Sequence, residues 1–186
     1  MHSGALSGGF GDAPIDAANA FRAVMNALAR PGDICEVSGA VPPAPLSVAA
    51  GVVVLTLCDP DTPIYLGQHH DRPDLRDWIT FHTGAPIVPA ARAMFGLGLW
   101  ADLPLADFAP GTPEYPDRSA TLIVDLPVLE NSGTLLRGPG IRDYALLSLP
   151  ETAAFEANGR LFPLGLDFIF TSGARLAGLP RSTRVG

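Results

Sequence analysis

Lysine is missing from this chain. All twelve basic side chains in its 186 residues are arginines, set against nineteen Asp and Glu. Without an ε-amine there is no Schiff base to a pyridoxal cofactor, no P-loop lysine on a phosphate and no lysine nucleophile or base. Charge of either sign is scarce, at 17% of residues, while 47% are hydrophobic. A lone globular chain ordinarily carries more solvating groups, so this balance predicts surface kept for protein partners. The net charge of −7 excludes nucleic acid as a partner bound through its phosphates, because that work needs a dense positive face. Local arginines gripping one small anion are not excluded.

Cysteine is nearly absent too. Cys35 and Cys58 make neither a disulfide framework nor a Cys-x-x-Cys metal motif, and both are expected to act as small buried hydrophobes. Long hydrophobic runs are also lacking: the longest, Val48–Leu57, falls far short of a membrane span, and the first residues show no signal-peptide pattern. A cytoplasmic location with no membrane partner is the expectation. Of the four histidines, His2, His69, His70 and His82, no two stand at the spacing of a His-Glu-x-x-His site, and adjacent histidines on a loop usually diverge. No Gly-x-Ser-x-Gly elbow is present. No catalytic residue, metal site or cofactor is predicted.

What is present centres on Leu135-Leu136-Arg137-Gly138-Pro139-Gly140-Ile141, an apolar strand ending in a bare corner. Glycine permits positive φ and close approach, while proline fixes φ and removes a donor. Such a corner is either plain architecture or a contact for an anion or a partner, with Arg137 and Arg142 offering bidentate donors.

The length suits one domain, residues 1–186, able to bury roughly 70% of its unfolded surface, with residues 1–8 expected to be flexible. Ser7–Asp12 is a glycine-rich lead-in. Asp16 is placed to cap a helix whose stripe is Phe21, Val24, Met25 and Leu28, and Pro31-Gly32 stops it. Asp33–Val37 reads as a strand, Leu46–Cys58 as a buried helix by its length, and Asp59–Pro63 as a turn whose aspartates satisfy backbone N–H groups. Ile64–Leu66 is a strand and Asp74–Phe81 a helix burying Leu75, Trp78 and Ile79. Strands follow over Met94–Leu99, Ser119–Leu126, Thr134–Arg137 and Tyr144–Leu149, then a helix over Glu151–Ala157 and a strand over Leu164–Phe170. Asp167 inside that apolar strand requires a partner, and an arginine is the natural one. Arg181 and Arg184 make the end of the chain cationic. Helices alternating with buried strands define an α/β fold.

Several segments stand in order that together resemble one family: Phe21-Arg22-Ala23-Val24-Met25, Ala29-Arg30-Pro31-Gly32, Phe81-His82-Thr83-Gly84, Gly138-Pro139-Gly140-Ile141, Phe162-Pro163-Leu164-Gly165 with Asp167, and Leu179-Pro180-Arg181. The chain resembles the PhnH family, a subunit of the bacterial carbon–phosphorus lyase core complex. That resemblance implies a three-layer α/β/α domain with a mixed sheet, similar to pyridoxal-phosphate-dependent transferases, and a place in phosphonate utilisation beside PhnG, PhnI and PhnJ. With PhnG, PhnI and PhnL, the family is linked to forming ribose 1-methylphosphonate 5-triphosphate from ATP and methylphosphonate. A homodimer is expected when the chain is alone.

Two roles stay open. One is an assembly subunit without chemistry of its own. The other is a contributor to a nucleotide or phosphonate site, with Arg137, Gly138, Gly140, Arg142, Arg181 and Arg184 as anion- or partner-binding candidates and Asp167 orienting one of the arginines. In either role the purified protein mixed with pyridoxal phosphate shows no lasting internal-aldimine absorbance; a stable visible band would contradict the exclusion.

Overall fold

A computed structural model describes residues 7–186. The expectation of flexibility for residues 1–6 lies outside the described residues. Ser7 and Gly8, for which flexibility was also expected, are tied down. The Trp78 indole donates to the Ser7 carbonyl at 3.0 Å and the Val41 amide to the Gly8 carbonyl at 2.8 Å.

The first helix, α1 (Ala13–Ala29), begins one turn earlier than expected. Asp12, not Asp16, is the N-cap: its carboxylate accepts from the Ile15 amide at 3.5 Å, and Asp16 reaches back to accept from the Asp12 amide at 2.9 Å. This reciprocal pairing satisfies two amides that the helix cannot pair internally. The expected stripe is also corrected. The buried positions are Ala20, Val24 and Ala27, whereas Phe21 and Met25 are each 49% exposed. The reason is proximity to the sheet: a Cβ built on Gly178 would lie 2.7 Å from the Ala27 carbonyl oxygen and 2.8 Å from the Leu28 Cα. Backbone approaches that close leave room only for small side chains, so the large ones turn outward.

Helix α2 (Val48–Leu57) is apolar all round and buried from Ala49 to Val54, as such a helix must be. Ser47 caps it, its hydroxyl accepting from the Ala50 amide at 3.1 Å. Helix α3 (Pro73–Thr83) buries Leu75, Trp78 and Ile79 completely. These three helices cover one face of a six-stranded mixed sheet. Its strands are β1 (Cys35–Glu36), β2 (Ile64–Leu66), β3 (Phe95–Gly98), β4 (Thr121–Asp125), β7 (Asp167–Ser172) and β8 (Arg175–Leu179), in the order β1-β8-β7-β4-β3-β2. The four strands β2, β3, β4 and β7 run parallel, while β8 and β1 extend the sheet antiparallel. Alternation sorts the core: Ile123 and Ile169 point to the three helices, Leu122, Val124, Phe168 and Phe170 to the other side. Burial on both faces is why these strands read as unbroken apolar runs.

The second face carries helix α4 (Thr152–Gly159) beside a small antiparallel sheet, ordered β6-β5-β9, from β6 (Ala145–Leu147), β5 (Thr134–Arg137) and β9 (Arg184–Val185). The α/β class and the mixed sheet agree with the sequence reading; the small second sheet adds to it. At the corner, Gly140 has φ +80°, and a Cβ there would sit 1.9 Å from the carbonyl oxygen of Ala29 at the end of α1. The corner therefore rests on α1. Gly178→Val should push α1 off the sheet and cost about 3 kcal/mol, the upper end of overpacking penalties. Urea unfolding reads this directly, and an unchanged midpoint would refute the close packing.

Candidate functional site

Where β5 meets the end of α4 and the last strand, a cleft of about 660 Å³ opens at the surface. Its charged lining is Arg137, Glu156, Arg160, Arg181 and Arg184, with Gly138, Phe162 and Thr183 among its other walls. Two of the arginines are set by register: β5 and β9 pair antiparallel with Arg137 directly opposite Arg184. Directly opposed residues share a face, with Cβ atoms about 4.5–5.5 Å apart, and like charges so placed repel. Arg160 reaches the cleft as the C-cap of α4, where a cation also suits the negative end of the helix. Among the described residues, Arg137, Arg160 and Arg184 make no ion pair or side-chain hydrogen bond.

Arg181 differs. Its guanidinium is consumed, donating from Nε to Asp167 Oδ1 at 3.2 Å, from Nη2 to Asp167 Oδ2 and the Ser119 hydroxyl, and from Nη1 to the Pro116 carbonyl at 2.6 Å. The Arg181 amide adds a bond to Asp167 Oδ1 at 2.8 Å. Asp167 opens β7, and its arginine partner is the one its burial required. The pair is a strut joining β7, the turn at Pro116–Arg118 and the final segment of the chain.

Of the candidates read from sequence, the fold thus brings Arg137, Gly138, Arg181 and Arg184 into one cleft. Asp167 lies in an adjoining hollow of about 320 Å³ that shares Phe162, Arg181 and Ser182. Gly140 packs on α1, and Arg142 is exposed beyond the corner and does not line the cleft. Arg160 was missed, since a lone arginine after a short helix carries no motif.

Comparison with known proteins bears on the whole chain at once. Residues 8–186 match the family described as bacterial phosphonate metabolism protein (PhnH). The chain belongs to the PhnH family. It is 41% identical over 191 residues, covering 96% of this chain and 94% of the relative, to the alpha-D-ribose 1-methylphosphonate 5-triphosphate synthase subunit PhnH of Rhizobium meliloti (strain 1021).

A second polar cluster, also missed, lies at the C-terminal ends of the parallel strands. Asp125, the last residue of β4, accepts from the Ser47 amide at 3.0 Å and from the Thr171 hydroxyl at 3.0 Å. His70 is fully buried with its Nε2 3.5 Å from the same carboxylate, while neighbouring His69 is exposed. The two histidines do diverge. The cluster braces the start of α2 and the loop after β2 against β4 and β7. The cysteines offer no nucleophile: burial, with Asp59 adding to it, pushes the Cys58 thiol up to about 12, and burial also raises Cys35. Cys35 is only half buried, a correction to its expected place in the core.

Arg181→Ala should lower stability by about 2–4 kcal/mol, because it strands a partly buried carboxylate. Denaturant titration checks this; a loss below about 0.5 kcal/mol, the ordinary size for surface changes, would refute the strut.

Proposed function

We propose that the chain works as a subunit of the enzyme that forms ribose 1-methylphosphonate 5-triphosphate in phosphonate catabolism, as an assembly component beside PhnG, PhnI and PhnJ. The observation that carries this is the 41% identity, across 96% of the chain, to a relative named as a subunit of that synthase. A subunit needs a face for its partners, and α1 supplies a candidate. Phe21 and Met25, four residues apart on one side of the helix, stand half exposed because the small-residue side is the one against the sheet. Aromatic residues and Met are enriched at interface cores, which fits a partner subunit as the occupant.

Alone, the protein forms a two-fold dimer through an apolar face of this kind, in competition with the hetero-partners. Its place is the cytoplasm; among the described residues no helix is long and apolar enough to cross a membrane. The likeness to pyridoxal-phosphate-dependent transferases belongs to this reading as a scaffold only, since the lysine that would hold that cofactor is missing.

Co-expression with PhnG, PhnI and PhnJ should recover a complex with the wild-type chain. The double variant Phe21→Ser, Met25→Ser should recover little of it at near-native melting temperature, because half-exposed positions contribute within about 0.5 kcal/mol to stability. Absence of any wild-type complex would defeat the assembly role, and full recovery with the double variant would move the interface off α1. Light scattering of the isolated protein tests the dimer, and a dilution-stable monomer would remove it.

A further inference from the structure

We propose that the arginine cleft between β5, β9 and the end of α4 is a binding site for a ligand carrying two or three linked phosphates. The first observation is the register. Arg137 and Arg184 face each other across an antiparallel pair with no carboxylate bonded to either among the described residues, in a chain whose acids outnumber its bases by seven. A neighbouring Asp or Glu would relieve that repulsion, and none is spent on it. An oxyanion lying between the guanidiniums relieves it from outside, through bidentate N–H donation.

Arg160 adds a third unpaired cation at the rim, so a single carboxylate leaves most of the charge uncompensated. Two or three phosphates match it. The volume agrees, since about 660 Å³ lies within the range of about 300–1,000 Å³ typical of small-ligand sites. Glu156 is the one acid in the lining and turns toward the last residue: a Cβ on Gly186 would lie 2.9 Å from its Oε1. It leaves the cleft with a net positive charge.

Independently, Thr183 lines the same cleft, is only 3% exposed as a residue, and has a buried hydroxyl without a hydrogen-bond partner. A buried hydroxyl left unpaired is costly, and such groups recur where a ligand completes the bonding. Phe162, 60% exposed at the wall, offers a flat apolar surface beside the cations. Phosphate chains come free or attached to a nucleoside, and the ring would stack only on the second kind.

The full chain is titrated calorimetrically with tripolyphosphate, ATP, sulfate and adenosine. Tripolyphosphate should bind at least tenfold more tightly than sulfate, with an affinity that falls as salt rises, and adenosine should not bind detectably. Arg137→Gln and Arg184→Gln should each weaken tripolyphosphate at least tenfold, with melting temperatures equal to or above wild type because the opposed charges are relieved. Arg92→Gln, an exposed arginine outside the cleft, should bind as wild type does. Equal affinities for tripolyphosphate and ATP would support a free oligophosphate; tighter ATP binding, lost in Phe162→Ala, would support a nucleotide. Binding of tripolyphosphate no stronger than sulfate, or unchanged binding in both cleft arginine variants, would overturn the site. Oligophosphate binding and subunit assembly are separable: the titration needs no partner chain, and the pull-down needs no phosphate.

Discussion

The contact on which the rest of the molecule depends is the approach of α1 to β8, where Gly178 meets the backbone at Ala27 and Leu28 with no side chain between them. It fixes which side of α1 can be buried, so the alanines and Val24 go inward and Phe21 and Met25 outward. Pro31-Gly32 fixes where α1 ends. The Ala29 carbonyl then becomes the surface against which Gly140 must fit, and the corner hangs from the helix terminus. Because the corner closes β5, and β5 carries β9, the opposition of Arg137 and Arg184 is inherited from a packing constraint on the far side of the domain.

Arginine serves two different ends here. Arg181 is spent on architecture, each of its three guanidinium nitrogens donating to Asp167, Ser119 or Pro116. Arg137 and Arg184 have no such ties. Both kinds line one cleft, and the distinction lies in the partners rather than in position. A partly buried strut holds the wall while exposed, unpaired guanidiniums face solvent, which is the division expected of a site preorganised on rigid elements.

Local signals in the sequence carried most of the fold. Strands Ile64–Leu66 and Thr134–Arg137 fall where apolar residues sit between turn formers, α2 where an apolar run is too long for a strand, and Asp167 found the arginine that its surroundings demanded. What stayed hidden was non-local. Strand β8 reads Arg175-Leu176-Ala177-Gly178-Leu179, poor in β-formers because Ala177 and Gly178 are chosen by packing rather than by propensity. The stripe on α1 followed hydrophobicity, whereas burial followed the space available. Likewise Arg137, Arg184 and Arg160 meet only because two strands pair across some fifty residues, a fact that no window of sequence contains. The His70–Asp125 brace is of the same kind, joining a loop, a strand end and a helix cap that are remote in the chain.

The pairing of β1 with β8, and of α1 with the same strand, also sets a timetable. The first helix can pack early on α2, but its seat on the sheet and the pairing of β1 both wait for residues 175–179, and β5, already paired with β6, waits for 184–185 for its second neighbour. During synthesis the sheet-facing side of α1 is therefore uncovered until β8 has emerged. Long-range closure of this sort folds slowly and late. The emerging chain thus presents Val24, Ala27 and the Val52–Val54 run before the sheet that covers them is complete, whereas Phe21 and Met25 stay half exposed even in the finished fold.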